Sequence, residues 1–263
     1  MKQIILATIL SFAIVSIGIA QKKSKKNKET EQQTVTPEKA EVKPEVKTEP
    51  EQKGEPAFTT NSLREHFMKK RAVAARWSDA DVVKDALYDL IVEDPNNDSL
   101  IFQLAYLYYD NQKYPSSILI GQDLLNRNPK NVQVLELVAL SYENLHIYDR
   151  ALQNYESLFL LTNSTSMLYK MAVLQFELKR YQETLTNADI LLSKPEADSL
   201  KVIFADAKNQ EKEYPIRVAL NNLKGMVYKA QGDKVNARKH FETALKMAPD
   251  FLLAKQNLDG LKP

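Results

Sequence analysis

The chain of 263 residues contains no cysteine, which excludes disulfide bonds, thiolate metal sites and cysteine nucleophiles. It has three histidines, His66, His146 and His240, and no two of them have the short helical spacing that would place two imidazoles on one metal ion. No glycine-rich phosphate loop, Gly-x-Ser-x-Gly elbow or HExxH sequence occurs. The sequence therefore predicts no catalytic, cofactor-binding or metal-binding residue and no enzyme activity.

A surplus of basic side chains is also missing from most of the chain. Residues 57–263 contain 26 Lys and Arg against 26 Asp and Glu, so the net charge of +2 arises in the N-terminal 56 residues. A nucleic-acid-binding domain needs a concentration of basic side chains to contact phosphates. We therefore expect no nucleic-acid partner.

The one long apolar run lies at the N-terminus. Residues 1–20 combine Lys2, an apolar stretch from residue 4 onward, and small residues just before Gln21. This order is typical of a signal peptide and predicts an exported bacterial protein, periplasmic or associated with the cell envelope. Residues 4–20 are also just long enough to cross a bilayer, so an uncleaved inner-membrane anchor is the alternative. Only in that case do we expect membrane contact.

Residues 21–56 form a second region of distinct composition. They include nine Lys, eight Glu and four Pro but no aromatic residue. Such a segment cannot bury enough apolar surface to fold. We expect a disordered linker between residues 1–20 and a folded domain spanning 57–263.

The domain contains an internal repeat. Tyrosines recur at steps of 34 and 33 residues at Tyr114, Tyr148 and Tyr181. A small residue lies nine positions before each of these tyrosines, or before the equivalent position in the last copy, at Ala105, Ala139, Ala172 and Gly225. Small residues allow neighbouring helices to approach closely, while aromatic residues fill the space between helix pairs.

The last copy shows the pattern most fully, with Gly225, Tyr228, Ala237, Phe241, Ala244 and Pro249. This order resembles the tetratricopeptide repeat (TPR), a two-helix unit of 34 residues. The resemblance implies an all-α fold, a right-handed α-α superhelix of about five helix pairs. The units are expected at about 64–97, 98–131, 132–165, 165–198 and 218–251, followed by a capping helix at 250–260 with Asp250 as its N-cap.

Residues 199–217 interrupt the period. They begin with the β-branched and aromatic run Leu200 to Phe204, continue with a turn-prone stretch and end in a polar one. This order favours a small β-hairpin, with an irregular loop or an extended helix as the alternatives. Insertions of this kind often carry binding specificity.

The resemblance to the TPR family also implies a concave groove lined by the first helix of each pair. Carried over unit by unit, it selects the candidate partner-binding residues Phe102, Tyr106, Tyr109, Glu136, Leu140, Glu143, Tyr169, Phe176 and Met226. We expect an apolar, aromatic groove with an acidic middle. Such a groove suits an extended peptide or an amphipathic helix with basic positions.

Together these features predict a non-enzymatic protein-protein interaction scaffold that binds a peptide or partner protein through its concave surface. One alternative is a structural subunit of an envelope assembly that docks through residues 199–217 or the convex face. A further alternative is a carbohydrate binder that uses Tyr106, Tyr109 and Tyr169 as stacking platforms.

Overall fold

The computed structural model describes residues 60–206, 208 and 210–261. The signal peptide or anchor and the linker predicted within residues 1–56 lie outside these described residues. The helices are α1 (Thr60–Arg76), α2 (Ala80–Glu93), α3 (Asp98–Asp110), α4 (Tyr114–Arg127), α5 (Val132–Asn144), α6 (Tyr148–Thr162), α7 (Thr165–Glu177), α8 (Tyr181–Ser193), α9 (Ile216–Ala230), α10 (Lys234–Met247) and α11 (Leu252–Asp259). A short 3-10 helix (Pro195–Asp198) and two strands, β1 (Lys201–Ala205) and β2 (Glu211–Pro215), lie between α8 and α9.

Consecutive helices pack as pairs: α1 with α2, α3 with α4, α5 with α6, α7 with α8, and α9 with α10. Each pair also packs against the next pair, and α11 covers the last one. This arrangement confirms the predicted all-α solenoid of five helix pairs with a C-terminal capping helix. No helix in the part of the chain that the structure describes combines the length and the apolar character that a membrane span requires.

Several helices begin at a side-chain cap. The carboxylate or amide oxygens of Asp79, Asn97, Asn131 and Asp233 each accept a hydrogen bond from the backbone N–H three residues later. These bonds satisfy N–H groups that have no partner within the helix. The expectation that Asp250 caps α11 is wrong: Phe251 occupies the N-cap position without a side-chain cap bond, and the carboxylate of Asp250 pairs with Lys212 instead.

The turn inside each pair has a recurring backbone conformation. One residue per turn has a positive φ angle, between 57° and 82°, at Ser78, Gln112, His146, Lys179 and Gly232. Each of these residues lies seven positions after the position that the small residue occupies in most units; Gly232, for example, lies seven residues after Gly225. By the same count Arg71 occupies this position in the first unit, where the other units have Ala or Gly.

The small residues lie where the helices of a pair meet. Ala105, Ala139 and Ala172 have no exposed surface, and Gly225 is buried as well. A Cβ atom added to Gly225 would lie 2.5 Å from Cε1 of Phe241 on α10. The glycine is therefore required by the closeness of the two helices.

Residues 201–215 form the predicted β-hairpin. The strands are antiparallel, with Val202 opposite Tyr214, and the side chains of both residues are only 2% exposed. The Tyr214 ring contacts Phe251 edge to face, with 4.9 Å between ring centroids, and Phe204 contacts the same ring at 5.2 Å. The apolar face of the hairpin is therefore part of the core, joining α9 to the segment that precedes α11.

We expect Gly225→Ala to lower the free energy of unfolding by about 1–3 kcal/mol, since the added methyl group overlaps a fully buried ring. The measurement is urea unfolding followed by circular dichroism. Gly260→Ala is the matched control: its nearest contact is the flexible end of Lys229, 3.3 Å away, and we expect a change within about 0.5 kcal/mol. Equal stability of the two variants would contradict the close helix approach.

We expect Tyr214→Ala to destabilise the domain by about 3–5 kcal/mol, because it removes the ring that joins the hairpin to Phe251. Tyr214→Phe is the control. It keeps the ring and loses only long hydrogen bonds to Asp250, at 3.4 and 3.5 Å, so its stability in the same assay should stay close to that of the unchanged protein. If the alanine variant were as stable as the phenylalanine variant, the hairpin would not be part of the core.

Candidate functional site

Three of the predicted groove residues lie on one face of α3. Phe102, Tyr106 and Tyr109 are spaced by four and three residues, which places them in a row along the helix. Tyr106 is 54% exposed, whereas Phe102 and Tyr109 are partly buried. The ring centroids of Tyr106 and Tyr109 are 6.3 Å apart, and Tyr109 contacts Tyr114 at 5.6 Å. Tyr106, Tyr109 and Tyr114 therefore form a chain of ring contacts in which Tyr106 is the exposed member.

An open recess with a volume of about 630 Å³ lies beside this row, between the first and second helix pairs. Its walls come from three helices: Arg71, Ala72 and Ala75 of α1, Val83 and Leu87 of α2, and Phe102, Gln103, Tyr106, Leu107 and Asp110 of α3. Most of these side chains are apolar. The recess therefore has the shape and lining to accept an aliphatic or aromatic side chain.

Two charged residues border the recess at different heights. Arg71 donates a hydrogen bond to the side-chain oxygen of Gln103 on α3. Asp110 lies seven residues after Gln103 on the same helix, about 10 Å from it by helical rise. Among the described residues, no carboxylate lies within ion-pair distance of Arg71 and no cation within that distance of Asp110. Asp110 also ends α3, where the helix dipole disfavours a negative charge. A ligand cation near Asp110 would be stabilised by the carboxylate and by the C-terminal end of the helix dipole.

The middle of the groove differs from the acidic surface that we expected. The carboxylate of Glu143 accepts hydrogen bonds from Nζ of Lys170 at 3.0 Å and from the hydroxyl of Tyr155 at 2.7 Å. The Lys170 ammonium thus balances its charge. Burial, and next the nearby Glu143 carboxylate, raise the pKa of Tyr155 well above its usual value, so this hydroxyl remains a donor. Glu136 and Leu140, on the same helix, are partly buried.

The C-terminal part of the groove is largely covered from within the molecule. Tyr169 is only 7% exposed and packs in a core cluster with Val202 of the hairpin and Leu220 of α9. Burial raises the pKa of the Tyr169 phenol above its usual value. Its selection as a groove residue is corrected: the insertion and α9 cover this side chain, which leaves almost no surface for a partner.

Phe176 and Met226, the remaining candidates, are both partly buried. Phe176 contacts Tyr181, with ring centroids 5.9 Å apart. Met226 accepts a 3.5 Å hydrogen bond from the Asn222 amide and packs against the buried cluster of Ala237, Phe241 and Leu261. The structure therefore groups Phe102 and Tyr106 in the recess, and it places Phe176 and Met226 in separate units further along the solenoid.

Sequence reasoning missed the wall of the recess that α1 forms. Ala72 and Ala75 line it, although the first unit showed the weakest repeat pattern because Arg71 replaces a small residue. A usable signal was present, since Arg71, Ala72 and Ala75 have the spacing of one helix face. Within the described residues, no group of three or more His, Cys, Asp or Glu side chains is placed to hold a metal ion.

Comparison with known proteins found similarity in structure alone. No protein-family model matches the sequence, and no curated protein matches it. A crystal structure of MamA superposes with a TM-score of 0.55 at 13% identity, covering 71% of this chain and 92% of that one. MamA from Desulfovibrio magneticus RS-1 gives 0.55 at 9% identity, with 73% and 99% covered. YrrB, described as a TPR protein with an unusual peptide-binding site, gives 0.57 at 11% identity, with 75% and 95% covered.

At these identities the likeness bears on the fold, which agrees with the five helix pairs and the small residues between them. The resemblance seen in the sequence is confirmed at that level: the chain has the fold of the tetratricopeptide-repeat proteins.

Proposed function

We propose that this protein is a non-enzymatic interaction scaffold of the bacterial cell envelope that binds a peptide or partner protein through its concave surface. The observation that carries the proposal is the open recess between α1, α2 and α3, with the exposed ring of Tyr106 at its edge. The recess serves as the anchoring point for the partner.

The lining of the recess supports binding by shape and apolar contact. Phe102 and Val83 offer an apolar wall, and Tyr106 adds a large, half-exposed ring with a polar tip. Aromatic residues in such positions commonly contribute most of the binding energy of an interface. Because the walls belong to packed helices, the recess is formed before the partner arrives, which lowers the ordering cost of binding.

The fold neighbours and the N-terminal sequence support the two remaining parts of the proposal. One neighbour, YrrB, is described as having a peptide-binding site, and we extend that mode of action to this chain. The envelope location follows from the signal-peptide pattern of residues 1–20, with an inner membrane anchor at 4–20 as the alternative. Cleavage before Gln21 would release the domain outside the cytoplasm, whereas an uncleaved anchor would hold it at the membrane.

Two alternative functions receive less support from the structure. Docking through the insertion would need a free apolar surface there, but Val202 and Tyr214 are buried and Lys201 pairs with Glu213 on the outer face at 2.9 Å. Carbohydrate stacking would lose one of its three platforms, because Tyr169 is buried. The recess remains the best-supported site.

The partner can be identified by placing a photo-crosslinking amino acid at Gln103, which lines the recess, and at Leu160, an 84% exposed residue of α6 outside it. We expect one reproducible partner from the Gln103 position in the native envelope and none from Leu160. Mass spectrometry of the same material reads the mature N-terminus. A chain that begins at Gln21 supports export with cleavage, and an intact N-terminus supports the anchor.

With the purified partner, we expect Tyr106→Ala to weaken binding about 30-fold, the effect of removing a central aromatic anchor. Leu160→Ala should leave the affinity unchanged, and both variants should keep the helical circular dichroism and melting temperature of the unchanged protein. A partner that binds the Tyr106→Ala variant with full affinity would overturn the recess as the binding site.

A further inference from the structure

The recess specifies the order of charges in a ligand. Arg71, near Gln103, favours an acidic group at one end, and Asp110, two helical turns further along α3, favours a basic group at the other. Between them the walls are apolar, with Val83 and Phe102 among them. A fitting ligand is therefore an extended segment with an acidic residue, an aliphatic residue and a basic residue in succession.

The region before α1 contains this order twice. Residues 41–47 read Glu-Val-Lys-Pro-Glu-Val-Lys, so Val42 and Val46 each have glutamate before them and lysine after them. The third valine of residues 21–56, Val35, lies between two threonines and lacks both charges. Two of the three valines in this region thus have the flanking charges that the recess favours.

The segment is close enough to reach the recess. Residues 48–59 separate Lys47 from the start of α1 and can span about 40 Å when extended. Along α1, the distance from Thr60 to the recess residues Arg71 and Ala75 is about 17–23 Å by helical rise. A tether of this length holds a ligand at an effective concentration in the millimolar range, so a weak interaction suffices for occupancy.

We propose that the recess binds the chain's own segment 41–47, with Val42 or Val46 between the apolar walls, glutamate toward Arg71 and lysine toward Asp110. The inference rests on the proposed function, because it assigns an occupant to the same recess. The segment then competes with the partner, which must displace it and binds with a lower apparent affinity. Because the motif occurs twice, one copy can replace the other in the recess.

The absence of cysteine provides a direct test. Thr48→Cys introduces a single attachment site for a nitroxide label in the otherwise full-length chain. In protein with methyl-labelled alanine and leucine, we expect the nitroxide to broaden the resonances of Ala75 and Leu107 in the recess. The resonance of Ala254 in α11, at the other end of the solenoid, should stay sharp and serve as the internal reference.

Matched variants distinguish docking from random approach of the label. Replacing both Val42 and Val46 by serine should remove the broadening at Ala75, while Val35→Ser should leave it unchanged. Replacing Lys43 and Lys47 by glutamate should reduce the broadening of the Ala75 resonance about fivefold, because it removes an exposed ion pair with Asp110. Adding Asp110→Lys to that variant should restore the broadening. Equal broadening in the Val35 and Val42/Val46 variants, or none in the labelled chain, would overturn the inference.

The self-binding inference and the proposed function can fail independently of each other. If a partner crosslinks at Gln103 while the label leaves the Ala75 resonance sharp, the inference fails and the proposed function stands. If the label broadens Ala75 while the purified partner binds the Tyr106→Ala variant normally, the segment occupies the recess and the proposed function fails. Deleting residues 41–47 should raise the partner's affinity, and an unchanged affinity would contradict the competition.

Discussion

The close approach of paired helices at a small residue, present in four of the five units, determines most of this structure. Gly225 lies against the Phe241 ring with no room for a side chain, and Ala105, Ala139 and Ala172 are fully buried at the equivalent positions. The turn residue with positive φ follows seven residues after this position in all five units, including the first, where Arg71 occupies the position. The turn geometry therefore does not depend on the small residue itself.

This constraint explains which parts of the fold could be predicted. The helix pairs repeat a local pattern, so each copy gives independent evidence for the same unit. The hairpin was also predictable, because Val202, Ile203 and Phe204 form a short β-branched and aromatic run outside the period. The Asp250 cap was not, because its competing partner, Lys212, comes from the hairpin 38 residues away.

The register alone predicted the candidate-site residues only in units that no insertion follows. Phe102 and Tyr106 follow from the register alone, and both border the recess. Tyr169 has the same register, but the insertion that follows its unit buries it, and the repeat pattern contains no information about that contact. Glu143 was predicted as a groove carboxylate from the register, but the ion pair that balances its charge depends on Lys170 in the next unit. Such contacts between units require coordinates.

The two ends of the solenoid differ in how their apolar side chains are covered. At the C-terminal end, the hairpin and α11 cover side chains such as Tyr214 and Phe251, while Val235 and Met247 of α10 stay exposed. At the N-terminal end, Met68 and Val73 of α1 are exposed, and so is Trp77, which follows this helix. Unburied apolar surface on a folded protein commonly marks an interaction site, so these side chains support the binding site that we propose in the first two helix pairs. The segment that precedes α1 is joined to the domain at this same end, as the proposed competition with a partner requires.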